Sequence, residues 1–140
     1  MVQLYVDTLI DCFIPPNTGP GSIQKRLEIR EDPSTGMIQV LNTQILDIQS
    51  LTEAFSAFDR GIKSRKVSAT ELNDVSSRSH MIFTIIIQTE NTETRQRTKS
   101  KISFVDLAGS ERYDKQNASA ERVKEGTKIN KSLTALGNVI

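Results

Sequence analysis

One cysteine, Cys12, and one histidine, His80, stand in 140 residues. A single thiol cannot form an internal disulfide, and one Cys with one His falls short of a zinc site or of a Cys-His pair with its supporting shell. No uninterrupted apolar stretch approaches the roughly 18 residues that cross a bilayer as a helix, and no basic-then-apolar leader follows Met1. Neither membrane insertion nor secretion is therefore expected, and a reducing, intracellular setting fits the cysteine usage. An excess of one charge is missing too. The 18 Lys and Arg against 17 Asp and Glu leave a net +1, which argues against a general nucleic-acid binder. Repeats and low-complexity tracts are absent. What remains, 36% hydrophobic and 25% charged, is ordinary globular composition with enough apolar residues for a core.

The elements alternate. Met1 to Tyr5 predicts a strand, followed by a short apolar turn of chain, Leu9 to Ile14, stopped by Pro15-Pro16 and a loop through Gly21. Leu27 to Arg30 and Met37 to Val40 predict a hairpin around Glu31-Asp32-Pro33-Ser34-Thr35-Gly36, whose Asp, Pro and Gly supply turn chemistry. Ser50-Leu51-Thr52-Glu53 is a capping box, and Leu51, Ala54, Phe55, Phe58 and Ile62 give the helix an apolar face ending near Gly61 to Ser64. Its two Phe residues read as core packing against a sheet. Met81 to Ile87, almost continuously apolar, predicts a strand buried on both faces, and Asn91 to Arg97 returns the chain into an antiparallel Thr98 to Asp106. The last helix starts near Glu121 with Ile129, Leu133, Leu136 and Ile140 on one face. That stripe runs to the final residue and the first strand starts at the first, so both ends are expected to be truncations of a larger domain.

Two runs at strand ends carry the chemistry. Asn73-Asp74-Val75-Ser76-Ser77-Arg78-Ser79-His80 sets adjacent hydroxyls and an arginine directly before one strand, and Asp106-Leu107-Ala108-Gly109-Ser110-Glu111 directly follows the other. Antiparallel pairing puts both at the same end of the sheet. Phosphoryl transfer asks the protein mainly for positioning and charge stabilisation around a Mg²⁺-bound triphosphate. An aspartate at the carboxyl end of a strand points into the crevice where α/β sheets bind ligands, which places Asp106 to hold Mg²⁺ through water. Gly109, without a side chain, can bring its N–H to a γ-phosphate oxygen and release it when the phosphate leaves. The D-x-x-G spacing alone also fits an ordinary strand-to-helix turn. The string D-L-A-G-S-E with N-x-x-S-S-R-S-H about thirty residues upstream is far more specific. His80, at the start of an apolar strand, reads as packed and hydrogen-bonded rather than catalytic.

Together these two strings resemble the switch loops of the kinesin motor family. The resemblance implies an α/β fold, the C-terminal portion of a P-loop NTPase motor domain with a mixed central sheet flanked by helices, and makes 1–140 one partial motor domain. It implies that Ser77 offers its hydroxyl to Mg²⁺ and the γ-phosphate, that Ser76 orients the attacking water and that Asn73 orders the loop. Arg78 and Glu111 would form an ion pair bridging the switches, for which a forked guanidinium is suited. Asn130, in Ile129-Asn130-Lys131-Ser132-Leu133, would lie on the relay helix and reach toward Glu111. The implied cofactors are ATP and Mg²⁺, the partner microtubules and the location the cytoskeleton of the cytoplasm. Leu4-Tyr5-Val6-Asp7-Thr8-Leu9-Ile10-Asp11 is similar to the C-terminal, minus-end-type kinesins, particularly calmodulin-binding ones, whose calmodulin contacts would lie outside these residues.

A motor ATPase needs a G-x-x-x-x-G-K-[ST] loop for the β and γ phosphates, and none occurs between Met1 and Ile140. Gly19-Pro20-Gly21-Ser22 does not replace it, because its proline lacks an amide donor and no lysine-hydroxyl pair follows. These residues alone are expected not to hydrolyse ATP. Arg112 to Lys131 holds Arg112, Lys115, Arg122, Lys124, Lys128 and Lys131 against Asp114, Glu121 and Glu125, a local +3 that suits the acidic tubulin surface. Two other readings stay open, a non-enzymatic microtubule-binding or dimerisation module and a GTPase-type switch.

Overall fold

Residues 1–14, 26–67, 77–110 and 120–138 are described by a computed structural model of the chain. Strands β1 (Val2–Tyr5) and β2 (Thr8–Asp11) form a tight hairpin. The first half of the segment read as an apolar turn, Leu9 to Asp11, is thus strand, and the second half is turn. Alternation is hard to see in four residues, and pairing with β1 decides the matter. Val6 at the hairpin tip has φ +57°, a left-handed conformation that is costly for a β-branched side chain. A second hairpin, β3 (Glu28–Glu31) with β4 (Ile38–Leu41), lies one residue beyond the expected bounds. Asp32 Oδ1 accepts the Ser34 N–H at 2.9 Å, and Gly36 takes φ +66°, so this turn uses the residues the sequence offers for it.

Helix α1 (Leu51–Val67) begins at the expected cap: Ser50 Oγ accepts the Glu53 N–H at 3.2 Å, and Glu53 reaches back to the Gln49 N–H at 3.0 Å. It runs past the expected stop. Gly61 is a close-approach glycine rather than a terminator, since a Cβ there would collide with the Met1 thioether. The buried face is also rotated from the expected one. Ala57, Gly61 and Arg65 are buried and Phe58 is partly so, while Leu51 and Phe55 are 73% and 61% exposed. Of the two Phe residues only Phe58 packs on the sheet, edge-to-face on Phe83 with centroids 5.2 Å apart.

Strands β5 (Ser79–Glu90) and β6 (Arg97–Asp106) pair antiparallel, as expected, with Met81 opposite Asp106. The sheet order is β2-β1-β5-β6, and every pairing among the described strands is antiparallel. Met1, Cys12, Met81 and Phe83 form the core, with Phe58, Ile62 and Ile85 against it. Burial of β5 on both faces holds only near its start: Ile86 and Ile87 are exposed, and so is all of β6, including Phe104 and Val105. One helix over a ten-residue hairpin cannot cover its far half. Helix α2 (Ala120–Gly137) sets Ile129 deep in the structure and Leu133 partly so, along the expected stripe, but Leu136 is exposed. Side chains alternate across β5, so Ser79, Met81 and Phe83 meet α1 while His80 meets α2.

Candidate nucleotide-switch site

The register of β5 on β6 brings the start of one beside the end of the other, and the two expected loops meet there. The Gly109 N–H donates to the Ser77 carbonyl at 2.8 Å, and the Ala108 N–H donates to His80 Nδ1 at 3.1 Å. Ser77, Arg78, Asp106 and Gly109 are therefore neighbours on one edge of the fold. The Gly109 amide, expected at a phosphate oxygen, is engaged within the protein, and that bond must open before it can serve a ligand. Asn73, Ser76 and Glu111 lie outside the described residues, as do Arg112, Lys115 and the side chain of Arg122.

Asp106 stands at the end of β6 and accepts Arg65 Nη1 at 2.7 Å. Arg65, in the last turn of α1, is largely buried and also donates through Nη2 to the Ser79 carbonyl at 3.1 Å. One guanidinium thus fixes the aspartate to the strand that follows the first loop. The donor chemistry fits Mg²⁺, which takes hard oxygens and keeps most of its waters, and Asp106, by the oxygen that Arg65 Nη1 does not take, and the Ser77 hydroxyl would be the groups to hold it from this part of the chain. No cluster of three or more His, Cys, Asp or Glu among the described residues offers another metal site.

Arg78 pairs with Glu125 of α2 at 3.0 Å, both side chains largely buried. The other Glu125 oxygen accepts the Tyr5 hydroxyl at 2.5 Å, and this bond to a carboxylate, with desolvation, pushes the Tyr5 phenol above its ordinary range. Glu125, counted in the sequence as one anion among surface cations, is therefore a buried partner. Arg65 and Glu125 were the residues the pattern did not assign. The signal for each is a charge on an apolar stripe: Arg65 three residues after Ile62, and Glu125 four before the buried Ile129.

His80 is packed and hydrogen-bonded as expected. Accepting at Nδ1 puts its proton on Nε2, which contacts Ser132 Oγ at 2.6 Å, and Ser132 donates on to the Ile129 carbonyl at 2.6 Å. Burial lowers the imidazole pKa, opposed in part by Asp106. The folded protein thus binds fewer protons than the unfolded chain near pH 6, and this contribution to stability is complete above the unfolded value of about 6.5 and lost as pH falls through the lowered one. Thermal unfolding should show a midpoint that drops between pH 7.5 and 5.5, with a smaller drop in His80→Asn. Equal drops in both proteins would mean that His80 is not the group responsible.

The kinesin motor domain family profile matches residues 1–140, the whole chain. The chain belongs to the kinesin motor family. It is 43% identical over 140 residues to the kinesin-like protein KIN-14E of Arabidopsis thaliana, in agreement with the C-terminal-type likeness of the β1–β2 segment. That match covers all of this chain and 11% of the relative. A solved fast kinesin matches with TM-score 0.79 and 36% identity, over 97% of this chain and 36% of that one. A KIF14 dimer with AMP-PNP in complex with a microtubule matches with TM-score 0.73 and 36% identity, over 97% of this chain and 38% of that one. The kinesin segment described here thus spans little more than a third of those solved chains. On α2, Asn130, Lys124, Lys128 and Lys131 are exposed, and Lys128 pairs with Asp7 of the β1–β2 tip.

Proposed function

We propose that this chain is the switch and relay portion of an ATP-driven microtubule motor, located on cytoplasmic microtubules. The observation that carries the reading is the Gly109 N–H to Ser77 carbonyl bond, which joins the two loops beside Asp106. Bound Mg-ATP supplies the transferable phosphoryl group and the metal. Asp106 and Ser77 would hold the metal side, Gly109 would give its amide to the γ-phosphate once its bond to the Ser77 carbonyl opens, and Ser76 would orient the attacking water. Arg78, here paired with Glu125, would exchange that partner for Glu111 to close over it. A helix that carries Glu125 on its inner side and Lys124, Lys128 and Lys131 on its exposed side suits the relay from these loops to an acidic track, to which Arg112, Lys115 and Arg122 would add charge. Asn130 belongs to that relay. The KIF14 complex supports the partner by likeness, and calmodulin as a partner of segments outside these residues follows from the subgroup resemblance alone.

Calorimetry and ATPase assays test this reading. The 140 residues by themselves should neither bind Mg-ATP tightly nor turn it over, because Ser77, Asp106 and Gly109 address only the γ-phosphate and metal and no lysine loop is present. A chain extended to the length of the solved motor domains should hydrolyse ATP faster with microtubules than without. Submicromolar binding by the 140 residues would overturn the first expectation, and an extended chain indifferent to microtubules would overturn the motor reading.

A further inference from the structure

We propose that the tip of the β1–β2 hairpin is a two-point clamp on α2, in which Tyr5 positions the Glu125–Arg78 pair and Asp7 is an internal counter-charge for Lys128 that an acidic track surface displaces. The inference rests on the reading of α2 as the track-facing helix. Tyr5 and Asp7 flank Val6 at the hairpin tip, and they meet α2 at Glu125 and Lys128, three residues apart. Positions i and i+3 lie on one side of a helix about one turn apart, so the two contacts hold the helix at two points along its length. Neither sliding nor rotation of α2 leaves both intact.

The two contacts differ in character. Lys128 and Asp7 are 51% and 65% exposed, so their pair is solvent-screened, weak and open to exchange with an approaching carboxylate. Arg78 and Glu125 are 13% and 17% exposed, and there the Tyr5 hydroxyl occupies the carboxylate oxygen that Arg78 leaves free. Tyr5 is a rigid donor because it ends β1, in register with Thr8 on one side and Ser79 on the other. A track surface carrying many carboxylates competes with a single aspartate for Lys128. When it wins, the inner contact alone ties the hairpin to α2, and track engagement reaches Arg78 through one helical turn. Tyr5 is thus a positioning residue, and Asp7 sets how much of the charge on α2 is offered to the track.

The experiment uses a motor domain of full length containing these residues. Asp7→Asn should tighten microtubule cosedimentation about threefold at low salt, a gain that shrinks as salt rises. The same substitution made in Lys128→Ala should give no gain. Tyr5→Phe should lower the microtubule-stimulated kcat about threefold or more without moving the half-maximal microtubule concentration, while the lost hydrogen bond to Glu125 lowers the thermal midpoint modestly. The clamp is overturned if the Asp7→Asn gain persists in Lys128→Ala, which would reduce it to general surface charge, or if Tyr5→Phe leaves kcat unchanged. A parent domain that does not sediment with microtubules overturns the proposed function itself, and the clamp with it.

Discussion

Arg78→Ala, in a motor domain of full length, should slow ATP hydrolysis by about two orders of magnitude or more while leaving Mg-ATP affinity largely intact. On the proposed mechanism closure over the phosphate is complete only in the water-positioning state, so the loss should fall on kcat rather than on ground-state binding. Glu111→Ala should do the same if Glu111 takes the guanidinium in that state. The Glu125 contact makes Arg78→Ala the more severe change for the fold, because a largely buried carboxylate loses its cation. Nucleotide affinity and the unfolding midpoint should therefore be measured beside the steady-state rate. Unchanged kcat in both variants would reduce Arg78 to a structural ion pair.

Removing three cations from α2 should weaken the grip on the track just as clearly. Lys124, Lys128 and Lys131 follow one another at steps of four and three, and all three are exposed. Glu125 turns inward to Arg78, so the anion that faces these lysines among the described residues is Asp7, at Lys128. Lys124→Ala, Lys128→Ala and Lys131→Ala together should raise the microtubule concentration for half-maximal ATPase by about tenfold and flatten its salt dependence, since exposed charges act through a Debye length of about 10 Å at 0.1 M. Affinity and salt slope that stay where they were would move the track-binding face elsewhere.

Much of this was legible in the residues. The β5–β6 pairing, the cap at Ser50, the second hairpin and the convergence of the two loops all follow from periodicity and turn chemistry. The motif strings point to the family without any tertiary contact. Three things were hidden, one by the shortness of its element and two by tertiary packing. Four-residue β2 is too short to display a period, Gly61 looks like a helix stop until Met1 is found above it, and Leu51 and Phe55 satisfy helical spacing on a face that is exposed among the described residues. At the site, sequence pairing assigned Arg78 to Glu111 by motif, whereas the described partner, Glu125, is a contact across 47 residues that no local pattern encodes.

Strand β6 is exposed along all ten residues and paired on one side only among the described strands. Such a margin is a template for strand addition, and here Ile102, Phe104 and Val105 lie along it, with Lys99 and Lys101 the charges that discourage stacking. Self-association of these 140 residues through that margin is therefore expected to rise with concentration, and light scattering against concentration would read it.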